Sequence, residues 1–305
     1  MIHRGLRTSL RAASVVAALF CFGCLALAQS SLSDLKPSSV LFFNKYTSSP
    51  SSPQLQDTQI NVTNVNPDQG ISVHMFMVDG STCSIADFYL GLSQNQTASF
   101  LASDFDPGVQ GYIVAVAASG GPTQFNYLIG DEFIREQDGK LANLQAVGFA
   151  KISPGNVIGN GDGTASLVFN GIEYDQFPLI LAASSFNSQV THATNLALYS
   201  PMSNLMVGNP TSTTVFTLVY DDNEVPHSTT VRVPCYIQTP LLNFRIAGGS
   251  LNNIVPAGRT GWIKLNGINR PLLGAILTKG PVFNGGHNLH PISYLNTYTI
   301  TVPDF

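Results

Sequence analysis

The sequence has little charge. Asp, Glu, Lys and Arg make up 10% of its 305 residues, against a usual share of about 25%. The 14 basic residues form no Lys/Arg cluster, so the chain offers no patch that would neutralise a row of phosphates. This argues against nucleic acid and anionic lipid as partners.

Long apolar runs and familiar catalytic motifs are also missing after residue 28. No later stretch approaches the roughly 18 uninterrupted apolar residues of a membrane-spanning helix, so we predict no transmembrane helix there. The sequence contains no G-x-S-x-G, no G-x-G-x-x-G after a strand, no Walker loop and no H-E-x-x-H. It therefore carries no signature of a serine hydrolase, a nucleotide-binding enzyme or a zincin.

The first 28 residues differ from the rest. Arg4, Arg7 and Arg11 precede an apolar run over 12–27, which ends in the small-residue triplet Ala-Leu-Ala. This is the pattern of a secretory signal peptide. We expect cleavage before Gln29 and export to the periplasm, the cell surface or the medium. An uncleaved anchor, for which the run is short, and a lipoprotein attached at Cys24 are the alternatives.

Loss of the signal changes the charge and the cysteine count. It removes three basic residues and no acidic ones, which leaves 11 basic against 18 acidic side chains. It also removes two of the four cysteines, so that Cys83 and Cys235 remain. Two cysteines in an exported chain most simply form one disulfide, which would join the two halves of the sequence. Two buried free thiols are the alternative.

Glycine, proline and small polar residues divide the sequence into short segments, as in a chain of many strands and turns. The clearest strand is Ile71–Val78, whose two faces are both largely apolar, as in a central strand covered on both sides. In the segment 140–152 alone, the apolar pattern leaves a short helix as an alternative to strand. We predict strands at 40–43, 59–65, 71–78, 88–92, 98–101, 112–118 and 125–129, and then at 166–169, 179–183, 215–220, 229–233, 242–246, 262–265 and 298–302.

This pattern predicts an all-β fold with two β-sandwich-like domains in series. The Gly/Asn-rich segment 153–164 is the most loop-like stretch and is the predicted linker. It separates a first β-rich domain, 39–152, from a second, 165–305. A flexible N-terminal segment, 29–38, follows the signal peptide, 1–28.

Two segments resemble those of a group of exported bacterial proteins. Residues 73–132 contain VHMFMVDGSTCSIADF, NQTASFLASDFDPGVQGYIVAVA and FNYLIGDEF, and residues 271–290 contain PLLGAILT and FNGGHNLH. The resemblance covers a third to a half of the chain after the signal. It implies export and a bacterial source. The group has no established activity, so the resemblance implies no site residue, cofactor or partner.

Two short patterns are candidate metal sites. His287 and His290 form an H-x-x-H pair among Gly and Pro, which predicts a loop; a third ligand would have to come from elsewhere. Asn160, Asp162 and Thr164 place oxygen atoms at alternate positions of a Gly-rich loop, a spacing that suits calcium, although the Glu of an EF-hand loop is missing. An ordered polar loop and a plain turn are the respective alternatives.

Four carboxylates are candidates for a site. Asp131 and Glu132 follow a predicted apolar strand and are the candidates for catalysis, while Asp221 and Asp222 lie in a predicted hairpin loop and could gather a cation. A glycoside hydrolase needs two carboxyl groups about 5–5.5 or 6.5–9.5 Å apart across a cleft. The sequence does not supply that distance, and loop carboxylates more often cap a turn.

The leading functional prediction is an exported, non-catalytic protein of the cell surface or envelope that acts in adhesion, ligand binding or assembly. Its partner would be a surface glycan, a protein or further copies of itself, and no cofactor is predicted, calcium being the one metal considered. A secreted glycosidase-like hydrolase that uses the loop carboxylates is the alternative. A further alternative is a subunit of an extracellular polymer, joined by strand addition at an open sheet edge.

Overall fold

A computed structural model describes residues 33–187, 193–208, 212–246 and 249–304, which all lie in one compact unit. Nearly all of their regular structure is antiparallel strand, so the all-β prediction is confirmed. The helical turns of these ranges are Ala102–Phe105, Leu251–Ile254 and the 3₁₀ turn Leu241–Asn243. None of the helices in the described ranges has the length and apolarity that crossing a membrane requires.

The described strands before residue 150 form two sheets. They are β1 Ser33–Asp34, β2 Val40–Thr47, β3 Asp57–Asn64, β4 Ile71–Asp79, β5 Ile85–Leu92, β6 Thr97–Leu101, β7 Gln110–Ala118, β8 Leu128–Arg135, β9 Leu141–Gln145 and β10 Val147–Phe149. The central sheet has the order β1-β10-β2-β7-β4-β5, and a four-stranded sheet has the order β6-β3-β8-β9.

The described strands after residue 160 form a second set of sheets. They are β11 Thr164–Phe169, β12 Pro178–Asn187, β13 Ala193–Tyr199, β14 Thr213–Tyr220, β15 Pro226–Val233, β16 Tyr236–Pro240, β17 Arg245–Ile246, β18 Gly249–Ser250, β19 Thr260–Asn266, β20 Leu273–Lys279, β21 Asn284–Asn288, β22 His290–Tyr294 and β23 Tyr298–Pro303. The sheet β15-β14-β19-β12-β22 packs on the sheet β16-β13-β20-β21 through one apolar cluster. Two strand pairs, β11-β23 and β17-β18, complete the half.

Strand β4 shows how the central sheet is covered on both faces. Val73, Met75 and Met77 belong to the apolar cluster shared with the four-stranded sheet of the first half. Phe76 and Val78 point the other way, into a second cluster. Alternate side chains of a strand point to opposite faces, so the prediction of a doubly covered central strand is confirmed.

The second cluster of the central sheet is shared between the two halves of the chain. It includes Phe42 and Phe149 from the first half with Phe169 and Phe177 from the second. The ring of Phe177 lies 4.4 Å from that of Phe149 and 4.5 Å from that of Phe169. No described sheet contains strands from both sides of 153–164. Because the halves nevertheless share a core, their independence as two domains stays a prediction.

The structure corrects several element boundaries. Residues 140–152 form β9 and β10 instead of a helix, because Ala142 and Leu144 alternate with outward residues and are both buried. The strand predicted at 125–129 lies further on, as β8, and 242–246 is mostly the 3₁₀ turn followed by β17. The pattern did not predict β13, β16, β20, β21 or β22.

Candidate functional site

The chain makes an unusual corner between β15 and β16. Only Pro234 and Cys235 connect the two strands. Consecutive strands joined by two residues usually pair as a hairpin. Here they diverge, because β15 forms an edge of the five-stranded sheet and β16 forms an edge of the four-stranded sheet packed on it. The space between the diverging strands is open to a ligand.

This space is a cavity of about 670 Å³, which we call the corner groove. Its lining consists of Gly80–Ser81, Gln110, 229–232, Pro234, 236–239 and 243–245. The hydroxyl of Thr229 donates to the carbonyl oxygen of Arg245 at 2.5 Å, so the two ends of the segment 229–245, which supplies most of the lining, are held together. The volume is within the roughly 300–1,000 Å³ of small-molecule sites. A groove of this size suits a compact ligand or the end of a longer one.

A disulfide holds two walls of the corner groove together. Cys83 and Cys235 are bonded, with their Cα atoms 5.9 Å apart, a usual separation for such bonds. The predicted pairing is therefore confirmed. Both cysteines are buried, Cys83 just after the turn that follows β4 and Cys235 at the corner itself. The bond thus fixes Gly80–Ser81 relative to the strands that line the opposite wall.

A buried ion pair positions a side chain at the floor of the groove. Lys45 Nζ lies 2.6 Å from Glu136 Oε1 and also donates to Gln238 Oε1. Gln238 Nε2 donates in turn to Glu136 Oε1 at 3.3 Å. Burial lowers the pKa of Lys45, and the charge of Glu136 opposes that shift. Because both ends of the Gln238 amide are engaged, its orientation in the groove is fixed.

The lysine of this ion pair lies in a strand that is buried on both faces. All eight residues of β2, Asn44 and Lys45 among them, are buried, because the strand lies inside the central sheet and both of its faces are covered. The pairing of β2 with β7 slips between Phe43 and Tyr46, as at a β-bulge, which re-aims the side chains beside it. Asn44 Nδ2 donates to Asn288 Oδ1 at 2.8 Å, and the Tyr199 hydroxyl donates to Asn44 Oδ1 at 2.8 Å.

The predicted carboxylates Asp131 and Glu132 do not form a pair. They lie within β8, not after a strand, and successive strand residues point to opposite faces. Asp131 Oδ2 accepts from Asn61 Nδ2 at 2.9 Å. Glu132 is fully buried; its Oε1 accepts the Lys45 N–H at 3.2 Å, while its Oε2 has no hydrogen-bond partner in the described part of the chain. Desolvation raises the pKa of Glu132 well above its ordinary value.

The predicted carboxylates Asp221 and Asp222 stabilise the turn between β14 and β15. Asp221 Oδ1 accepts the backbone N–H groups of Asn223 and Val225, both at 2.9 Å, and these bonds lower the pKa of Asp221. Asp222 forms an ion pair with Arg259. The turn joins two strands of a different sheet from the one that holds β8. A catalytic role for Asp131 and Glu132 and cation binding at Asp221 and Asp222 stay predictions.

The predicted metal ligands bond to their own neighbours. Asp162 Oδ1 accepts the N–H and the hydroxyl of Thr164 at 3.0 and 2.6 Å, and Asn160 Nδ2 donates to that hydroxyl at 2.8 Å. His287 and His290 lie on β21 and β22 instead of in a loop, with ring centroids 5.2 Å apart. Among the described residues, no three His, Cys, Asp or Glu side chains are grouped as metal ligands would be. Calcium or other metal binding stays a prediction.

Sequence reasoning missed the corner groove itself. Its lining comes from four separated segments, and no single segment carries a motif. One signal was present: the Pro234–Cys235 pair ends one strand, and Tyr236 begins an apolar segment directly afterwards. Proline lacks a backbone N–H for a ladder, so a break between strands was predictable at that point, but not the sheet that β16 joins.

Comparisons with known proteins give no family. No protein-family model matches the sequence, and no curated protein matches it. Two solved structures show a weak similarity: the lectin of Pleurotus ostreatus in its apo form (11% identity over 91% of this chain and 78% of that chain, TM-score 0.17), and the same lectin in complex with GalNAc (11% identity over 90% and 83%, TM-score 0.14). Scores at this level assign neither fold nor function to this chain.

Proposed function

We propose that the protein is an exported, non-catalytic binding protein of the cell surface or envelope, and that the corner groove binds the end of a saccharide chain. The observation that supports this is the chemistry of the lining. Neutral hydroxyl and amide side chains dominate it, and no Asp or Glu is among the described residues that line it. A glycoside hydrolase requires two carboxyl groups at its cleft.

A saccharide suits this lining because its hydroxyl groups both donate and accept hydrogen bonds. The amide side chains of Gln110 and Asn243 also do both, and the hydroxyls of Ser81 and Thr239, which donate to Asp79 and to the Pro240 carbonyl oxygen, can still accept. Gln238 is held in place by the ion pair beneath it. A fixed polar group loses little conformational entropy when a ligand binds, which favours affinity.

Export is supported by the signal-peptide pattern of residues 1–28 and by the disulfide. Disulfides persist in oxidising compartments and are rare in the cytosol. The bond between Cys83 and Cys235 also holds the groove together, so an oxidising compartment would keep the proposed site assembled.

A glycan array probed with the oxidised mature protein tests the proposal. Asn243 lines the groove and is exposed, so Asn243→Trp should block it and reduce glycan binding at least about tenfold. Asn252, an exposed asparagine outside the lining, supplies the matched control Asn252→Trp, which should bind as the wild type does.

Two outcomes would contradict the proposal. One is a bound glycan whose affinity Asn243→Trp leaves unchanged. The other is turnover of chromogenic glycosides that disappears on replacement of a single carboxylate, which would favour the hydrolase.

A further inference from the structure

We infer that the saccharide bound in the corner groove is acidic, and that Arg232 and Arg245 bind its carboxylates. This inference rests on the proposed function, because it specifies the ligand of the same groove. The two arginines are the charged side chains of the described lining. They form a positive site in a chain whose net charge is −4, so an anionic ligand would be drawn to this part of the surface.

Two carboxylates lie beside the lining of the groove and are hydrogen-bonded or ion-paired within the protein: Asp79, which precedes Gly80 in sequence, and Glu136, which accepts from Gln238. Asp79 accepts the Ser81 N–H at 2.7 Å and the Ser81 hydroxyl at 2.8 Å, and also the hydroxyl of Thr82. Glu136 is paired with the buried Lys45. In the described part of the chain neither carboxylate forms an ion pair with Arg232 or Arg245, so both guanidinium groups can pair with an anionic ligand.

The hydrogen-bonding groups of the two arginines are also available. Arg245 is exposed, and within the described ranges its guanidinium makes no hydrogen bond or ion pair, while the Thr229 bond fixes its backbone. Arg232 uses its Nε to donate to Ser212 Oγ at 2.8 Å. That bond orients the guanidinium and leaves its terminal N–H groups available to donate, in a geometry that matches the two oxygens of a carboxylate.

The spacing of the two arginines favours a ligand with more than one acidic unit. The carbonyl oxygen of Arg245 accepts a hydrogen bond from the hydroxyl of Thr229, which lies three residues before Arg232 on β15. Three residues of an extended strand span about 10 Å, so Arg232 and Arg245 enter the lining at separate backbone positions. An oligosaccharide with carboxylates on its sugar units can reach both. Two arginines are too few for the phosphate row of a nucleic acid.

Calorimetric titration of the oxidised mature protein with oligogalacturonate tests this inference. Its methyl ester, which has the same rings without the charge, is the neutral reference. We expect the acid to bind at least about tenfold more tightly at low salt, since a hydrogen bond to a charged group contributes about that factor. Arg232→Ala and Arg245→Ala should each remove most of the difference, and the difference should shrink in high salt.

The control is Arg259→Ala, which removes an exposed arginine outside the lining and should leave both affinities unchanged. If the methyl ester binds as tightly as the acid and Asn243→Trp abolishes both, the inference is wrong and the proposed function stands. If neither saccharide binds, the inference is wrong, and the glycan array decides the proposed function separately. An acidic peptide that binds more tightly than oligogalacturonate would also overturn the inference.

Discussion

Opening the disulfide should cost a large part of the stability of this protein. Cys83 and Cys235 are 152 residues apart in sequence, so the bond closes a long loop in the unfolded chain. The chain-entropy relation for a loop of that length gives about 5 kcal/mol at 25 °C. Domains are usually stable by only about 5–15 kcal/mol in total. We therefore expect Cys83→Ala/Cys235→Ala to unfold at a much lower urea concentration.

Comparing reduction with mutation separates the contribution of the cross-link to stability from the contribution of side-chain packing. Both cysteines are buried in the apolar cluster shared by the two halves, so alanine also removes two packed sulfur atoms. The reduced wild-type protein keeps those atoms and loses the bond alone. We expect reduction to account for most of the loss. The slope of the unfolding free energy against urea should also rise, because the opened chain exposes more surface when unfolded.

Urea unfolding at pH 7 can follow Trp262, the sole tryptophan, whose ring stacks on Tyr220 at 3.9 Å. Far-UV circular dichroism supplies a second, independent probe. A loss below about 1 kcal/mol on reduction would refute the loop-closure reasoning. Two free thiols in the purified native protein would refute the bond itself.

Three further predictions concern the core and the N-terminus. Because the pKa of Glu132 is raised, the folded protein keeps a proton on this side chain that the unfolded chain releases above the ordinary pKa of 4.5. The free energy of unfolding should therefore fall as the pH rises from 4.5 through the folded pKa, by up to about 1.4 kcal/mol per pH unit. Glu132→Gln should flatten the dependence of the urea midpoint on pH, and a variant with the wild-type dependence would contradict this. Phe177→Ala should cost about 3–5 kcal/mol in urea unfolding, because its ring packs against Phe149 and Phe169; a loss under 1 kcal/mol would be inconsistent with that packing. Edman sequencing of the exported protein should begin at Gln29, and a chain that retains Arg4 would be contrary to cleavage.

The sequence predicted the elements whose pattern is local. Strand β4 was found with its two apolar faces because burial on both sides leaves a continuous apolar segment bounded by turn residues. The disulfide was predictable because the predicted loss of the signal peptide leaves two cysteines without competitors, each beyond a strand end. The short helix that the pattern left open at 140–152 does not form. The strand β9 found there was missed because Ala142 is too small to mark a strand face in a hydropathy pattern.

The candidate site was beyond local patterns. The bulge beside Lys45 depends on how β2 pairs with β7, and no neighbouring residue signals the slip. Glu132 was predicted to be a loop carboxylate after a strand, yet it is buried within a strand, because β8 lies between β3 and β9 and is packed against β2. Arg232 and Arg245 meet at one groove only because the chain turns from one sheet to another at Pro234.

The core shared between the halves has a consequence for synthesis. The first half leaves the ribosome with one face of its central sheet uncovered, including Phe42, Phe76 and Val114, because their partners lie in the second half. At about 5–20 residues per second, the 141 residues after the linker take about 7–28 s to be made. Throughout that interval Cys83 has no partner and an apolar sheet face is exposed, so the nascent chain depends on protection from association until its C-terminal strands arrive.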